Sequence, residues 1–270
     1  MGLASNLLLV FTAGLLSAVT TGAGAFPFFV IDDVNRRVQV ILWGLASGIM
    51  VSASTFGLVF EGLAAADGTA DHFLIVGGLL AGATLVVVAN RLLSGHEFDP
   101  REYAEADFRK LVLILGVLTV HSFPEGVAVG VSFAELNLAG GVEFGPFIVP
   151  LLAIFMTVAI AIHNIPEGLA ISIPLRTVGI SNWKIVWWAI FSSLPQPIGA
   201  VLAFAFVRVA LEFLPAGFGF AAGAMIYLVG SEFIPEAIDI GTELPYGGYR
   251  ELVVAFVVGV LLMAPLAVFG

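Results

Sequence analysis

Two stretches decide how this chain is read: LGVLTVHSFPEGVAVGVS at 115–132 and MTVAIAIHNIPEGLAISIP at 156–174. Each is an apolar run long enough to cross a bilayer core, and each carries a histidine, a proline and a glutamate near its middle. An apolar segment of about 20 residues spans about 30 Å of hydrocarbon. Ionisable groups at that depth are costly, and so they mark function. The surrounding composition fixes the solvent. Of 270 residues, 60% are hydrophobic and 11% charged, with a mean hydropathy of +1.07. Soluble domains carry about 25% charge, and this chain has too few polar side chains to cover a water-facing exterior. A soluble enzyme and a disordered tail are thereby disfavoured. The net charge of −10 disfavours a nucleic-acid partner. With no cysteine, disulfides, thiolate metal sites and cysteine nucleophiles are all excluded.

Outward from the two stretches, the apolar runs predict an all-α integral membrane protein of eight spans, at roughly 6–30, 38–60, 72–94, 110–134, 147–173, 183–207, 215–238 and 250–269. The first lacks a basic flank and a cleavage-like junction, so it reads as a span rather than a signal peptide. The cluster Thr20, Thr21, Gly22, Gly24 and Pro27 interrupts it midway. Nine of the ten basic residues fall in the odd-numbered loops, the exception being Arg208. The positive-inside rule then predicts both termini extracytoplasmic and a cytoplasmic loop over about 92–109. That loop holds His96 among several carboxylates and reads as a solvated connection, the alternative being weak metal capture or sensing by His96 with its acidic neighbours. No linker separates a second unit, so residues 1–270 form a single transmembrane domain. Trp43, Trp183, Trp187 and Trp188 fall near span ends and read as interfacial anchors.

In each central stretch the histidine and glutamate are four apart: His121 with Glu125, and His163 with Glu167. That spacing puts both on one helix face. The intervening Pro124 or Pro166 removes a backbone donor and locally opens the helix. The glycine that follows lets another backbone or an ion approach closely. Successive spans run antiparallel, so two imidazoles and two carboxylates can converge at mid-depth. That set suits Zn²⁺, with Fe²⁺, Mn²⁺, Co²⁺ and Cd²⁺ as relatives, and protons compete with metal for such ligands. The alternative is a pair of kinked helices whose His and Glu bond each other for packing, against which the duplication weighs. A zinc protease is disfavoured because no HExxH occurs. The chain therefore reads as no enzyme, with no prosthetic group. The absence of a nucleotide-binding motif argues against ATP as direct energy source.

The paired HSFPEG and HNIPEG segments resemble the signature spans of the ZIP family of divalent metal transporters, particularly its prokaryotic zinc-transporting branch. The resemblance extends over almost the whole chain. It implies an eight-helix bundle that carries metal toward the cytoplasm of a cell by alternating access, often as a homodimer. Carried over to this sequence, His121, Glu125, His163 and Glu167 resemble the main transport site, and Met50 a methionine that can approach it. A second metal position would correspond to Ser122, Asn164 and Gln196, with Glu125 and Glu167 bridging. Here the chain departs from the family, which often has Asn at the first of these and commonly Glu at the third. Neutral donors offset a second dication poorly, so one tight site and at most a weak second one are expected.

Glu232 and Glu236 flank Pro235 at the predicted cytoplasmic end of the seventh span. They are either an exit path, in keeping with an acidic residue common there in the family, or a polar helix end. Glu61 closes the second span on the outer side as an entrance or as a boundary marker. The functional reading is import of Zn²⁺ and related ions. A metal-selective channel using the same ligands is the runner-up, followed by a membrane metal sensor that does not transport.

Overall fold

The computed structural model describes residues 2–31, 34–66, 68–93, 122–138, 141–177 and 179–263. His121, the 94–109 stretch of the cytoplasmic loop, the first half of the fourth span and the end of the eighth lie outside the described residues. Seven helices among the described residues are long and apolar enough to cross a membrane: Leu3–Phe29, Arg36–Ala64, Thr69–Arg91, Leu151–Ile173, Asn182–Val209, Leu211–Gly241 and Pro245–Leu262. They match seven of the eight expected spans. The helix at 122–132 stands where the second half of the fourth was expected. We keep the ordinal names first to eighth. Helices satisfy every internal backbone group within the segment, which hydrocarbon demands. Side chains such as Leu8, Leu80, Leu202 and Leu261 are more than half exposed, the apolar exterior a bilayer requires.

Several spans are irregular where the sequence dictates it. The first passes from α-helix at Leu3–Thr20 into a 3₁₀ stretch at Thr21–Phe29, as its Thr/Gly/Pro cluster suggested. The sixth stops at Ser192 and restarts at Pro195, where a proline at the first helical position costs no hydrogen bond. The second and seventh contain π-helical turns at Ala53–Val59 and Val229–Phe233. A short antiparallel hairpin, Val142–Phe144 with Phe147–Val149, precedes the fifth span. Asn137 ties that hairpin down. Its side-chain oxygen accepts from the Ile148 amide at 3.2 Å, and its amide nitrogen donates to Asn6 of the first span at 3.1 Å.

The helices pack as two groups. The third span lies along the seventh, and the second along the eighth. The first packs on the fifth and the sixth, and the 122–132 helix packs on the sixth through Gly126, Gly130 and Gly199. Close seams of glycine hold each group together. On the third and seventh spans, Gly78 and Gly82 face Gly219 and Gly223. A Cβ at Gly82 would sit 2.0 Å from the Phe220 carbonyl oxygen, and one at Gly223 2.1 Å from that of Leu79. Such small-residue seams let dispersion contacts replace the missing hydrophobic drive. Between the groups the second span meets the fifth. An apolar cavity of about 540 Å³ also separates them, lined by Phe73 and Phe220 on one side and Val127 and Phe206 on the other.

Candidate metal centre

The fifth span delivers His163 and Glu167 to one face, one turn apart, and the 122–132 helix delivers Glu125. All three are buried, and one ligand atom of each lies within 4.8 Å of the others. His163 Nε2 lies 3.2 Å from Glu125 Oε1. Neither of these atoms, nor His163 Nδ1, has a hydrogen-bond partner among the described residues. Buried polar atoms left in this way normally have an explanation, and two carboxylates with an imidazole are a borderline dication's donor set. Phe233 stacks on the His163 ring at 5.1 Å between centroids and 23° between planes, and Trp43 packs on Phe233 at 4.9 Å.

The motif glycines serve the neighbouring helices. A Cβ on Gly168 would lie 1.8 Å from the Thr21 carbonyl oxygen, and one on Gly126 2.1 Å from that of Gln196. Each glycine therefore seats the backbone of a partner span at its irregular turn. Thr20 adds a hydrogen bond to the Ala161 carbonyl at 2.9 Å, and Thr21 one to Ser193 at 2.7 Å.

The residues expected at a second position are drawn into a hydrogen-bond network. Ser122 Oγ donates to the Ser192 carbonyl at 3.0 Å. Asn164 Nδ2 donates to the Ser17 carbonyl at 2.8 Å and to Gln196 Oε1 at 3.1 Å. Gln196 Nε2 donates to Glu125 Oε2 and, at 3.3 Å, to Asn164 Oδ1. Met50 is buried in the main apolar cluster together with Phe233. Ser47 and Ser54, about one turn to either side of Met50, keep buried hydroxyls without a hydrogen-bond partner among the described residues.

From Glu167 a cavity of about 460 Å³ runs along Trp43 and Phe233 to Glu232, Glu236 and Asp239. Glu232 accepts a hydrogen bond from Asn90 of the third span at 2.8 Å. At the other end Glu61 lines a cavity of about 30 Å³ with Glu135. Glu61 and the Glu232–Glu236 pair thus line separate cavities, and the cavity of the pair reaches Glu167. Trp43 and Trp188 are buried, whereas Trp183 and Trp187 are exposed. The interfacial reading fails for the first two because their rings complete packing inside the bundle. The sequence reading also passed over Ser17, Asn90, Phe233 and Asp239. The first three are single residues in apolar helices, without a spacing pattern to single them out.

The family model for ZIP zinc transporters matches residues 95–267. The zinc transporter GufA of Myxococcus xanthus is 31% identical over 242 residues, which covers 86% of this chain and 89% of that one. The zinc transporter ZupT of Corynebacterium aurimucosum is 30% identical over 246 residues, covering 86% and 88%. An Arabidopsis thaliana chain with a zinc-transporter name is 41% identical over 224 residues, and there this chain spans a third of the relative's length. With a membrane bundle, a buried carboxylate–imidazole centre and these relatives, the chain belongs to the ZIP zinc transporter family.

Proposed function

We propose that this chain transports Zn²⁺, and with it related divalent transition-metal ions, across a cell membrane into the cytoplasm by alternating access. The observation that carries the reading is the convergence of Glu125, His163 and Glu167 inside a membrane bundle, at the head of a cavity floored by acid residues. His121, four residues before Glu125, completes the ligand set, and the Met50 thioether supplies a soft donor. Two carboxylates balance one dication, while neutral imidazoles favour zinc over alkali ions. Glu232 and Glu236 receive the ion on its way out, and Glu61 stands at the entrance.

The direction rests on the basic-residue bias, which puts the Glu232–Asp239 end in the cytoplasm and both termini outside. Arg36 pairs with Glu243 and Arg37 with Glu251, each at 3.0 Å, so the start of the second span lies beside the connection between the seventh and eighth. The carrier reading is supported over a channel by the cavities. Among the described residues, the one that reaches Glu167 shares no lining residue with the one at Glu61. The two glycine-seamed groups are the bodies whose relative movement would switch access. Residues 1–270 act as one domain, and pairing into a homodimer follows the family resemblance.

Zinc uptake into proteoliposomes tests this, with wild type set beside His163→Ala and Glu167→Ala. Both substitutions abolish flux if the central site carries the ion. Flux at the wild-type rate in either one removes the assignment. Zinc bound to the wild type without any flux would leave a sensor.

A further inference from the structure

We infer that Gln196 is an amide clamp on Glu125, oriented by Ser17 and Asn164, and that this clamp restricts the central site to one divalent ion. The inference rests on the proposed central site and assigns Ser17 and Gln196 as positioning residues rather than ligands. A glutamine side chain offers two N–H donors and a carbonyl with two lone pairs. Gln196 is fully buried, and all four are used. Its Oε1 accepts from Ser17 Oγ at 2.7 Å and from Asn164 Nδ2 at 3.1 Å. Its Nε2 donates to Glu125 Oε2 and Asn164 Oδ1.

The direction of the amide follows from one backbone group. The Ser17 carbonyl can only accept, so Asn164, 2.8 Å away, must turn its nitrogen toward it. The same Asn164 nitrogen meets Gln196 at the oxygen end, and the Ser17 hydroxyl meets that end too. Gln196 is thereby left with its nitrogen facing Glu125. Reversal would set a carbonyl oxygen against a buried carboxylate, which a low dielectric punishes. Gln196 consequently offers a neighbouring ion no oxygen.

Two consequences follow for the ion. One oxygen of Glu125 is held by the amide, and the other, beside His163 Nε2, stays available. Glu125 is set up as a one-oxygen ligand with a fixed rotamer. The charge also closes at one ion, because Glu125 and Glu167 together offset one dication with neutral imidazoles. A second dication would bring excess charge into a buried site, and an N–H donor occupies the flank of Glu125 where it would approach.

The test is ⁶⁵Zn²⁺ equilibrium dialysis on the full chain in nanodiscs, with size-exclusion elution checked for each variant. Wild type is expected to hold one tight ion per chain. Gln196→Glu puts a carboxylate where the N–H was and is expected to add a second ion of comparable affinity. Ser17→Ala should keep one ion but weaken it about fivefold, the scale of one net hydrogen bond, with recovery in Ser17→Thr. Two comparably tight ions in wild type overturn the clamp, as does a Ser17→Ala affinity equal to wild type. Should Gln196→Glu fail to fold, the Ser17 pair still decides. Glu167→Ala separates the underlying reading: if it retains the wild-type ion, the central site itself is wrong, whatever the clamp does.

Discussion

Gly168→Ala is the sharpest probe of how the centre is built, because the substitution adds one methyl group and changes no charge. The new Cβ would lie 1.8 Å from the Thr21 carbonyl oxygen and 2.7 Å from its carbon. Ordinary contact begins at 3.4 Å, so the fifth span and the 3₁₀ stretch of the first must separate by about 1.6 Å. The obstructing atom is backbone and cannot rotate away. Overpacking of this kind costs about 1–3 kcal/mol, and the strain falls one residue from Glu167. A displacement near 1 Å at a site of fixed geometry costs on the order of 100-fold in rate. Zinc flux into proteoliposomes is therefore expected to fall at least about tenfold, with a lower melting temperature. Gly77→Ala is the control, since a Cβ there meets nothing within 4 Å and alanine favours the helix by about 1 kcal/mol. Gly168→Ala transporting zinc at the wild-type rate and apparent affinity would falsify the seat assigned to this glycine.

Three further outcomes are expected. Glu232→Gln combined with Glu236→Gln should slow zinc flux several-fold while leaving equilibrium binding at the centre intact, read by uptake and dialysis on the same preparation; equal loss of both would move these residues into the site. Gly82→Ala should lower thermal stability by about 1–3 kcal/mol, because its Cβ would lie 2.0 Å from the Phe220 carbonyl oxygen, and a melting temperature at or above wild type counts against the third–seventh seam. Arg36→Ala should shift stability by no more than about 1 kcal/mol, since both this arginine and its partner Glu243 are at least half exposed.

Much of the centre could be read in advance, for a physical reason. His163 and Glu167 lie four apart on one helix, so their shared face is a property of the helix alone. Glu125 joins them because its own stretch repeats the pattern in the neighbouring antiparallel span. The break in the first span was equally local, written in Thr20–Pro27. What stayed hidden depends on contacts between distant segments. Ser17 meets Gln196 across 179 positions, and a single serine in an apolar helix gives no sign of that. Gln196 was singled out only by the family resemblance, and which end of its amide faces Glu125 is settled by the Ser17 carbonyl. Trp43 misled because proximity to a span end looks the same whether a ring faces lipid or packs on Phe233. Glu232 and Glu236 were legible as a pair, whereas their continuity with Glu167 depends on the cavity between spans.

The duplicated Pro-Glu-Gly now has a single physical account. Adjacent residues on a helix point about 100° apart, so a glutamate turned toward the centre leaves the following glycine turned toward a neighbouring helix. In the fifth span that neighbour is the first, whose Thr21 carbonyl lies against Gly168. At 122–132 it is the sixth, whose Gln196 carbonyl lies against Gly126. Both seats receive backbone at or beside an irregular turn, Thr21 where the 3₁₀ stretch begins and Gln196 just past the sixth-span break. The same two neighbours supply Ser17 and the Gln196 side chain to the network around Glu125. Each Glu–Gly pair thus joins a carboxylate of the buried centre to the contact that positions its surroundings. A substitution at either glycine should therefore be felt as altered metal affinity before it is felt as lost fold.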